Sequence, residues 1–394
     1  MQYKQFGDLK LSHLGMGCMR LPVAGENGPI DEEKASKIIE YAYEHGVNYF
    51  DTGFRYHKGD SQRFTGSVLS QYPRDTWNIA AKFPGHMLRF EGDKIAFTGF
   101  GESRLVYFDS IEQIFQQQLD ECGVEYFDFF LMHGLAESNF DFYSDPKVGI
   151  VDYLQSEKKA GRIKHFGFST HGRADAIDHY LTYWKGLFEV VQIQINYLDW
   201  TLQSAKEKYD IVVKHGAKVI AMEPVRGGKL ANLPEDALAR LKAVRPDDSP
   251  AAWAFRFLQG LPDMQVILSG MTTMEQVIEN VELFSKEEPV NEEEKALLLS
   301  IAQSITNAVP CTACQYCYEG CPQNLEIAKL ISMFNEASHD RGIHGIRRAL
   351  QRMDEKELPA ACIACGVCAG LCPQQIDIPD VLKKFDELIK SASA

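Results

Sequence analysis

The chain has 394 residues, 45% of them hydrophobic and 24% charged, a balance that builds packed globular domains and calls for no long disordered tract. Its 41 basic against 55 acidic residues give a formal charge of -14, which repels phosphate backbones and anionic lipid and makes nucleic acid an unfit partner. No apolar run reaches the roughly 18 residues of a membrane span and the opening MQYKQFGDLK has neither signal nor transit character, so a cytoplasmic protein with no membrane partner is expected.

Cysteine usage divides the chain. Residues 1–310 hold only Cys18 and Cys122, which read as small buried hydrophobes, while residues 311–394 hold eight in two groups. In a reducing compartment such grouping means metal rather than disulfides. The length accommodates one α/β domain of about 250 to 300 residues and a small second one. The division is placed at 1–307 and 308–394.

In chain order, MQYKQFG and LKLSHLG form a hairpin at Gly7-Asp8. LGMGCM is the first strand of the main domain, and a helix from Asp31 to His45 follows, with Asp31 as N-cap and Gly46 ending it. The apolar run VNYFD ends in Asp51, with Tyr56 five residues on; a helix from Asp60 to Gln71 leads to Trp77–Phe83, which carries Lys82 near its end. A long loop over 84–104, read as a lid or docking surface, precedes a helix from Ser110 to Cys122 and the strand Tyr126–His133.

The rhythm then repeats. Helix 147–160, strand KHFGFS, helix 173–184, strand EVVQIQI, helix 204–215, strand KVIAME, helix 250–258, strand MQVILSG and helix 273–284 alternate without exception. Counting from LGMGCM gives eight strands, and polar residues such as Ser169, Gln192, Asn196, Glu223 and Ser269 lie at or near strand ends. That pattern is a (β/α)8 TIM barrel, whose chemistry sits where the strands end. A doubly wound sheet is the alternative, but GMGCMR and GFGESR both lack the third glycine of a dinucleotide turn.

Asp51, Tyr56, Lys82 and His133 would meet at the barrel mouth. A lysine at the tip of an apolar strand needs a counter-charge, and Asp51 supplies one. The ammonium is expected to draw the Tyr56 phenol below its ordinary value near 10, making it a proton donor for carbonyl reduction, with His133 aligning or assisting. Phe54, His57 and Trp200 read equally well as pocket lining or packing.

DTGFRY, AAKF, DFFLMH, GFST and VVQIQIN together resemble the aldo-keto reductase family over residues 1–307. The resemblance implies that Asp51, Tyr56, Lys82 and His133 are a catalytic tetrad acting on a small carbonyl or alcohol substrate, with NAD(H) or NADP(H) lying across the mouth. The cofactor site it implies takes in Ser169, Thr170, Gln192, Met222, Arg226, Ser269, Gly270, Gln276 and Asn280. Thr170 stands where the family has asparagine and Met222 where it has an aromatic ring. Gly270 and Gln276 replace the lysine and arginine that hold a 2′-phosphate, leaving Arg226 as the compensating cation.

Cys311, Cys314, Cys317 and Cys321-Pro322 spell C-x2-C-x2-C-x3-C-P, and Cys362, Cys365, Cys368 and Cys372-Pro373 repeat it. Zinc sites pair cysteines across a long gap, whereas this spacing suits two 4Fe-4S clusters, each borrowing its last ligand from the other motif. One cluster is assigned Cys311, Cys314, Cys317 and Cys372; the other Cys362, Cys365, Cys368 and Cys321. An amphipathic segment from Glu292 to Asn307 leads into this region, and NLEIAKLISMF and IHGIRRALQRM read as helices, so the module looks like a mostly helical ferredoxin-like domain.

Three functions fit: a nicotinamide-dependent reductase or alcohol dehydrogenase passing electrons through its clusters; a ferredoxin- or flavin-dependent reductase with nicotinamide secondary; and a non-catalytic redox-sensing barrel. Because a hydride carries two electrons and a cluster passes one, a flavin on this chain or on a partner is expected. The partner would be a flavoprotein or a ferredoxin.

Overall fold

Tyr3–Phe6 (β1) and Leu9–Ser12 (β2) pair antiparallel about Gly7, with Tyr3 opposite Ser12. Their inward residues Phe6 and Leu11 pack with Tyr49, Phe129, Val190 and Val266 from near the amino ends of barrel strands, so the hairpin plugs that end. The computed structural model describes all residues except 27, 100–104, 173, 306–308, 312, 313, 339–342, 344–349, 352, 393 and 394.

After the hairpin come Leu14–Gly17 (β3), Tyr49–Asp51 (β4) and Asn78–Phe83 (β5). The chain diverts into Leu88–Glu91 (β6), Lys94–Phe97 (β7) and Val106–Phe108 (β8), then resumes with Phe127–Met132 (β9), Ile163–Thr170 (β10), Val190–Gln194 (β11), Lys218–Met222 (β12) and Met264–Ser269 (β13). Strands β3, β4, β5 and β9 to β13 are parallel and close into an eight-stranded barrel, with β13 returning to β3. Closure overturns the doubly wound alternative. Every residue of β5 and β9 is buried, which is why these strands read as unbroken apolar runs.

Local signals set the helix ends. Asp31 accepts the Lys34 N–H at 3.2 Å to start Glu32–Glu44, and Gly46 leaves that helix with φ +94°. Thr273 and Gln276 form a reciprocal capping box at the start of Met274–Leu283.

The structure corrects the sequence reading after β5 and adds helices to it. The stretch expected to be a long loop carries β6 and β7, the first two strands of the antiparallel meander β6-β7-β8, because LRFE and KIAF are short strands turned at Gly92, φ +62°. Residues 100–104 of that stretch lie outside the described residues, as do residue 173 of the helix expected to begin there, residues 306 and 307 of the Glu292 helix, and most of IHGIRRALQRM. The helices Glu235–Lys242 and Ile378–Ser391 went unread.

Packing gathers Met1–Pro224 with Ala252–Asn291, and Val225–Ala251 with Glu292–Ala394. The second unit is thus larger than residues 308–394. Within it Arg245 forks onto Glu294, Nε to Oε1 at 2.6 Å and Nη2 to Oε2 at 2.8 Å, tying the inserted segment to the helix Glu292–Ile305. Its core joins Leu325, Ile327, Leu330, Ile331, Ile378, Leu382 and Phe385 to Cys317 and Cys368.

Candidate active site

Strand register brings the tetrad together. Asp51 ends β4, Lys82 lies one residue before the end of β5, and His133 follows β9, held by its N–H donating to the Phe83 carbonyl at 3.0 Å. Lys82 Nζ donates to Asp51 Oδ1 at 2.5 Å and to the Thr52 carbonyl at 2.9 Å. The side chains of this pair are 1% and 4% exposed, so each charge depends on the other. Tyr56 opens the turn Tyr56–Gly59; its ring centre lies 5.0 Å from Lys82 Nζ and 5.7 Å from the His133 ring, which it meets edge-on at 85°.

The expected effect of Lys82 on Tyr56 is reversed. Burial, then the Asp51 and Glu223 carboxylates, push the phenol well above 10. The same burial raises Asp51 itself, against the pull of Lys82 and Gln192. His133 is held well below 6.5 by burial, with His86, Lys82, His171 and Arg55 adding to it. At neutral pH the site therefore presents a protonated phenol and a neutral imidazole.

The residues expected to hold a cofactor divide into free and committed groups. Ser169 Oγ accepts the Gly134 N–H at 3.0 Å and keeps its own proton to donate, while buried Gln192 Oε1 has no partner among the described residues. Thr170 is spent on the fold: its hydroxyl donates to the Leu135 carbonyl at 2.6 Å and accepts from Gly172 N–H at 2.8 Å. Ser269 accepts from Asn280 at 3.0 Å, and Gln276 Oε1 accepts the Thr272 N–H at 2.8 Å. Met222 ends β12, half-buried. Arg226 belongs to the second unit, where it donates to Gln374 at 3.5 Å.

Sequence reasoning missed three contributors. Arg20 lays its stem against Gly270, where a Cβ would stand 3.2 Å from that of Arg20, and reaches Glu223 at 3.7 Å. Gln118 donates to the Lys82 carbonyl at 2.9 Å from within Ile111–Cys122. His86, in the turn Gly85–Met87, stacks edge-on against His133 with ring centres 4.5 Å apart. An arginine just past a strand end was the one signal available. Of the suggested pocket residues, Phe54 packs on Phe97 at 5.0 Å and Trp200 on Phe257 at 5.2 Å, and His57 Nε2 accepts the Leu21 N–H at 3.1 Å. They stabilise the fold.

In the second unit the cysteines line two clefts. Cys311, Cys314, Cys317 and Cys372 share one with Ile331 and Ile376; Cys321, Cys362, Cys365 and Cys368 share the other with Leu325 and Leu382. Both motifs turn alike, with positive φ at Gln315 and Gly366 after the second cysteine, and at Asn324 and Gln375 after the fourth. None of the ten cysteines forms a disulfide. Burial and the other three thiols of its cleft push Cys317 up to about 12, and in the same way Cys368 to about 11. Four thiolates lining one apolar cleft would need positive charge among them, such as the iron of a cluster would supply. Among the described residues no group of three or more His, Cys, Asp or Glu is placed to hold a single metal ion directly.

The family description "Aldo/keto reductase family" matches residues 13–302. The chain belongs to the aldo/keto reductase family. A 4Fe-4S dicluster domain matches residues 310–376, so this is an aldo-keto reductase-type oxidoreductase carrying an iron-sulfur module. It is similar to the NADH-specific methylglyoxal reductase of Escherichia coli, 24% identical over 307 residues that span 70% of this chain and 90% of that protein. An aldo-keto reductase of Bacillus halodurans in its holo form superposes with TM-score 0.59 at 25% identity, over 76% of this chain and 96% of that one. The glycerol dehydrogenase of Gluconobacter oxydans shares the fold at TM-score 0.57 and 20% identity, over 75% and 93%. No described helix of this aldo-keto reductase is long and apolar enough to cross a membrane.

Proposed function

We propose that this aldo-keto reductase reduces a small carbonyl compound, or oxidises the matching alcohol, with a nicotinamide cofactor, and that its dicluster domain exchanges electrons with a flavoprotein or ferredoxin partner. The observation that carries the first half is the buried Lys82–Asp51 pair set against Tyr56 and His133. Tyr56, protonated throughout the neutral range, gives its proton to the carbonyl oxygen; the neutral His133 orients that oxygen.

A primary carboxamide offers one acceptor and two donors, which complements the Ser169 hydroxyl and the unpartnered Gln192 oxygen. Met222, half-buried at the end of β12, would pack its thioether against the bound ring. When bound, the nicotinamide supplies the hydride. With Gly270 and Gln276 carrying no charge and Arg226 engaged elsewhere, NADH is accepted at least as well as NADPH. The similar Escherichia coli reductase is described as NADH-specific.

Cys311, Cys314, Cys317 and Cys372 hold one 4Fe-4S cluster and Cys321, Cys362, Cys365 and Cys368 the other, supplying one-electron carriers. A flavin on this chain or on the partner reconciles these with two-electron chemistry. Two assays on anaerobically prepared protein test the proposal. Turnover of a panel of aldehydes with NADH is expected; a non-catalytic sensor shows none. Cluster bleaching by a reduced flavoprotein or ferredoxin is also expected, and clusters that stay oxidised under every low-potential donor are structural.

A further inference from the structure

The two cysteine motifs are alike in spacing and in their turns but not in the side chains between the cysteines. Where the second motif has Ile363, Val367 and Leu371, the first has Thr312, Tyr316 and Gly320. Ile363 is 60% exposed, Val367 49% and Leu371 46%, and Cys365 is exposed where its counterpart Cys314 is partly buried. Among the described residues lining the first cleft no large hydrophobic side chain is exposed; Ile331, Ile376 and Ile378 are all buried. Apolar exposure is thus a property of the second motif and not a demand of the spacing that both share.

The three side chains gather at one cleft. Ile363 lines the second cleft together with Cys321, Cys362, Cys365 and Cys368. Val367 and Leu371 stand one turn apart on the short helix Val367–Leu371, which carries Cys368. Both reach Gly320, the neighbour of Cys321, where an added Cβ would come within 2.4 Å of Leu371 and 3.1 Å of Val367. Large aliphatic side chains left half in water at the rim of a single cleft mark a face that another molecule covers.

The charge carried by the cysteine-bearing stretches has one sign. Residues 310–328 and 357–382 contain Glu319, Glu326, Glu357, Asp377 and Asp380 and no lysine, arginine or histidine. Glu319, which adjoins Gly320, and Glu357 are exposed. We infer that Ile363, Val367 and Leu371 form the docking face for a flavoprotein whose flavin edge lies in an apolar surface ringed by lysine and arginine. This rests on the electron-exchange reading for the partner's chemistry. A second copy of this module, or a ferredoxin with thiolate-bound clusters of its own, brings the same negative sign and is disfavoured; a basic rim is attracted. Apolar contact holds the pair while charge orients it, in the small interface usual for redox encounters. There one electron leaves the partner's reduced flavin and enters the module, and no bond forms or breaks.

The test uses the cluster-loaded full chain under anaerobic conditions with two probes: ferredoxin–NADP+ reductase, a flavoprotein with a basic rim, and flavodoxin, an acidic one. Calorimetry of the oxidised proteins at low salt should show the reductase bound about tenfold or more tighter than flavodoxin, and weakened by about as much in ~0.3 M salt. Ile363→Thr combined with Val367→Thr should weaken that binding by about tenfold, and Glu319→Lys likewise, whereas Val244→Thr, at an exposed valine of the same unit, should leave it unchanged. Iron analysis checks loading; if the double variant loses iron, Glu319→Lys, which lines neither cleft, decides. Flavodoxin bound as tightly, or binding indifferent to these substitutions, overturns the inference. So does self-association of the chain that the double variant abolishes, seen by light scattering, since the face then belongs to a second copy. Cluster bleaching by photoreduced reductase that the variants do not slow keeps the electron-exchange reading and sinks the docking face. Binding that depends on the face but brings no bleaching supports the face and sinks electron exchange. Neither binding nor bleaching sinks both.

Discussion

The Lys82 ammonium donates a hydrogen bond to Asp51 Oδ1 at 2.5 Å with both side chains almost wholly out of solvent, so neither charge is tenable alone. Lys82→Met should lose about 3 to 5 kcal/mol of folding stability, because Asp51 is left as an uncompensated buried carboxylate. Asp51→Asn combined with Lys82→Met should recover most of that loss and none of the turnover. Urea unfolding at pH 7 checks this; a double variant no more stable than the single one contradicts it.

Acid should weaken the fold before it protonates most carboxylates. His13 and His171 are lowered to about 4 and His86 to about 3, and His133 is held well below 6.5, in each case chiefly by burial. Below pH 6.5 the unfolded chain takes up protons that the folded chain refuses. The stabilisation is therefore complete above that pH and is lost as pH falls towards 4, on the order of 1 kcal/mol per pH unit for each such histidine. Urea midpoints at pH 7 and pH 5 measure it. A midpoint that rises at pH 5 goes against the assignment.

Iron analysis of anaerobically prepared protein should find about eight atoms per chain. Cys321→Ala should damage the cluster of the second motif and Cys372→Ala that of the first, as followed by electron paramagnetic resonance of each variant. Damage confined to the variant's own motif would mean that the clefts do not describe the ligand sets.

Much of this was legible in the sequence because burial on both faces leaves a signature: FDFFLM and NIAAKF read as strands of a parallel sheet covered on both faces, and the polar residues at their ends mark the mouth. The meander after β5 was legible too, in the Gly92-Asp93 turn, but its length read as a loop. The sign of the Tyr56 shift was not legible, since it depends on how closely Asp51 screens Lys82 and on how deeply the ring is buried. His86 and Gln118 were invisible for a similar reason: their roles come from contacts 36 to 47 residues distant in the chain, His86 with His133 and Gln118 with the Lys82 carbonyl.

Cofactor choice follows from charge. With Gln276 occupied in its capping box and Gly270 lacking a side chain, direct titration should give NADH an affinity at least equal to that of NADPH. A tenfold or larger preference for NADPH would point to Arg20, which packs against Gly270, as the phosphate's partner.

The most direct measurement is Tyr56→Phe, which removes one oxygen from the ring beside Lys82 and His133. Carbonyl reduction by the loaded enzyme should fall by about a hundredfold or more, while the dissociation constant of the nicotinamide stays nearly unchanged, because the phenol serves the transition state and not the cofactor. Weakened nicotinamide binding with turnover intact would contradict the role given to Tyr56 and with it the proposed reaction.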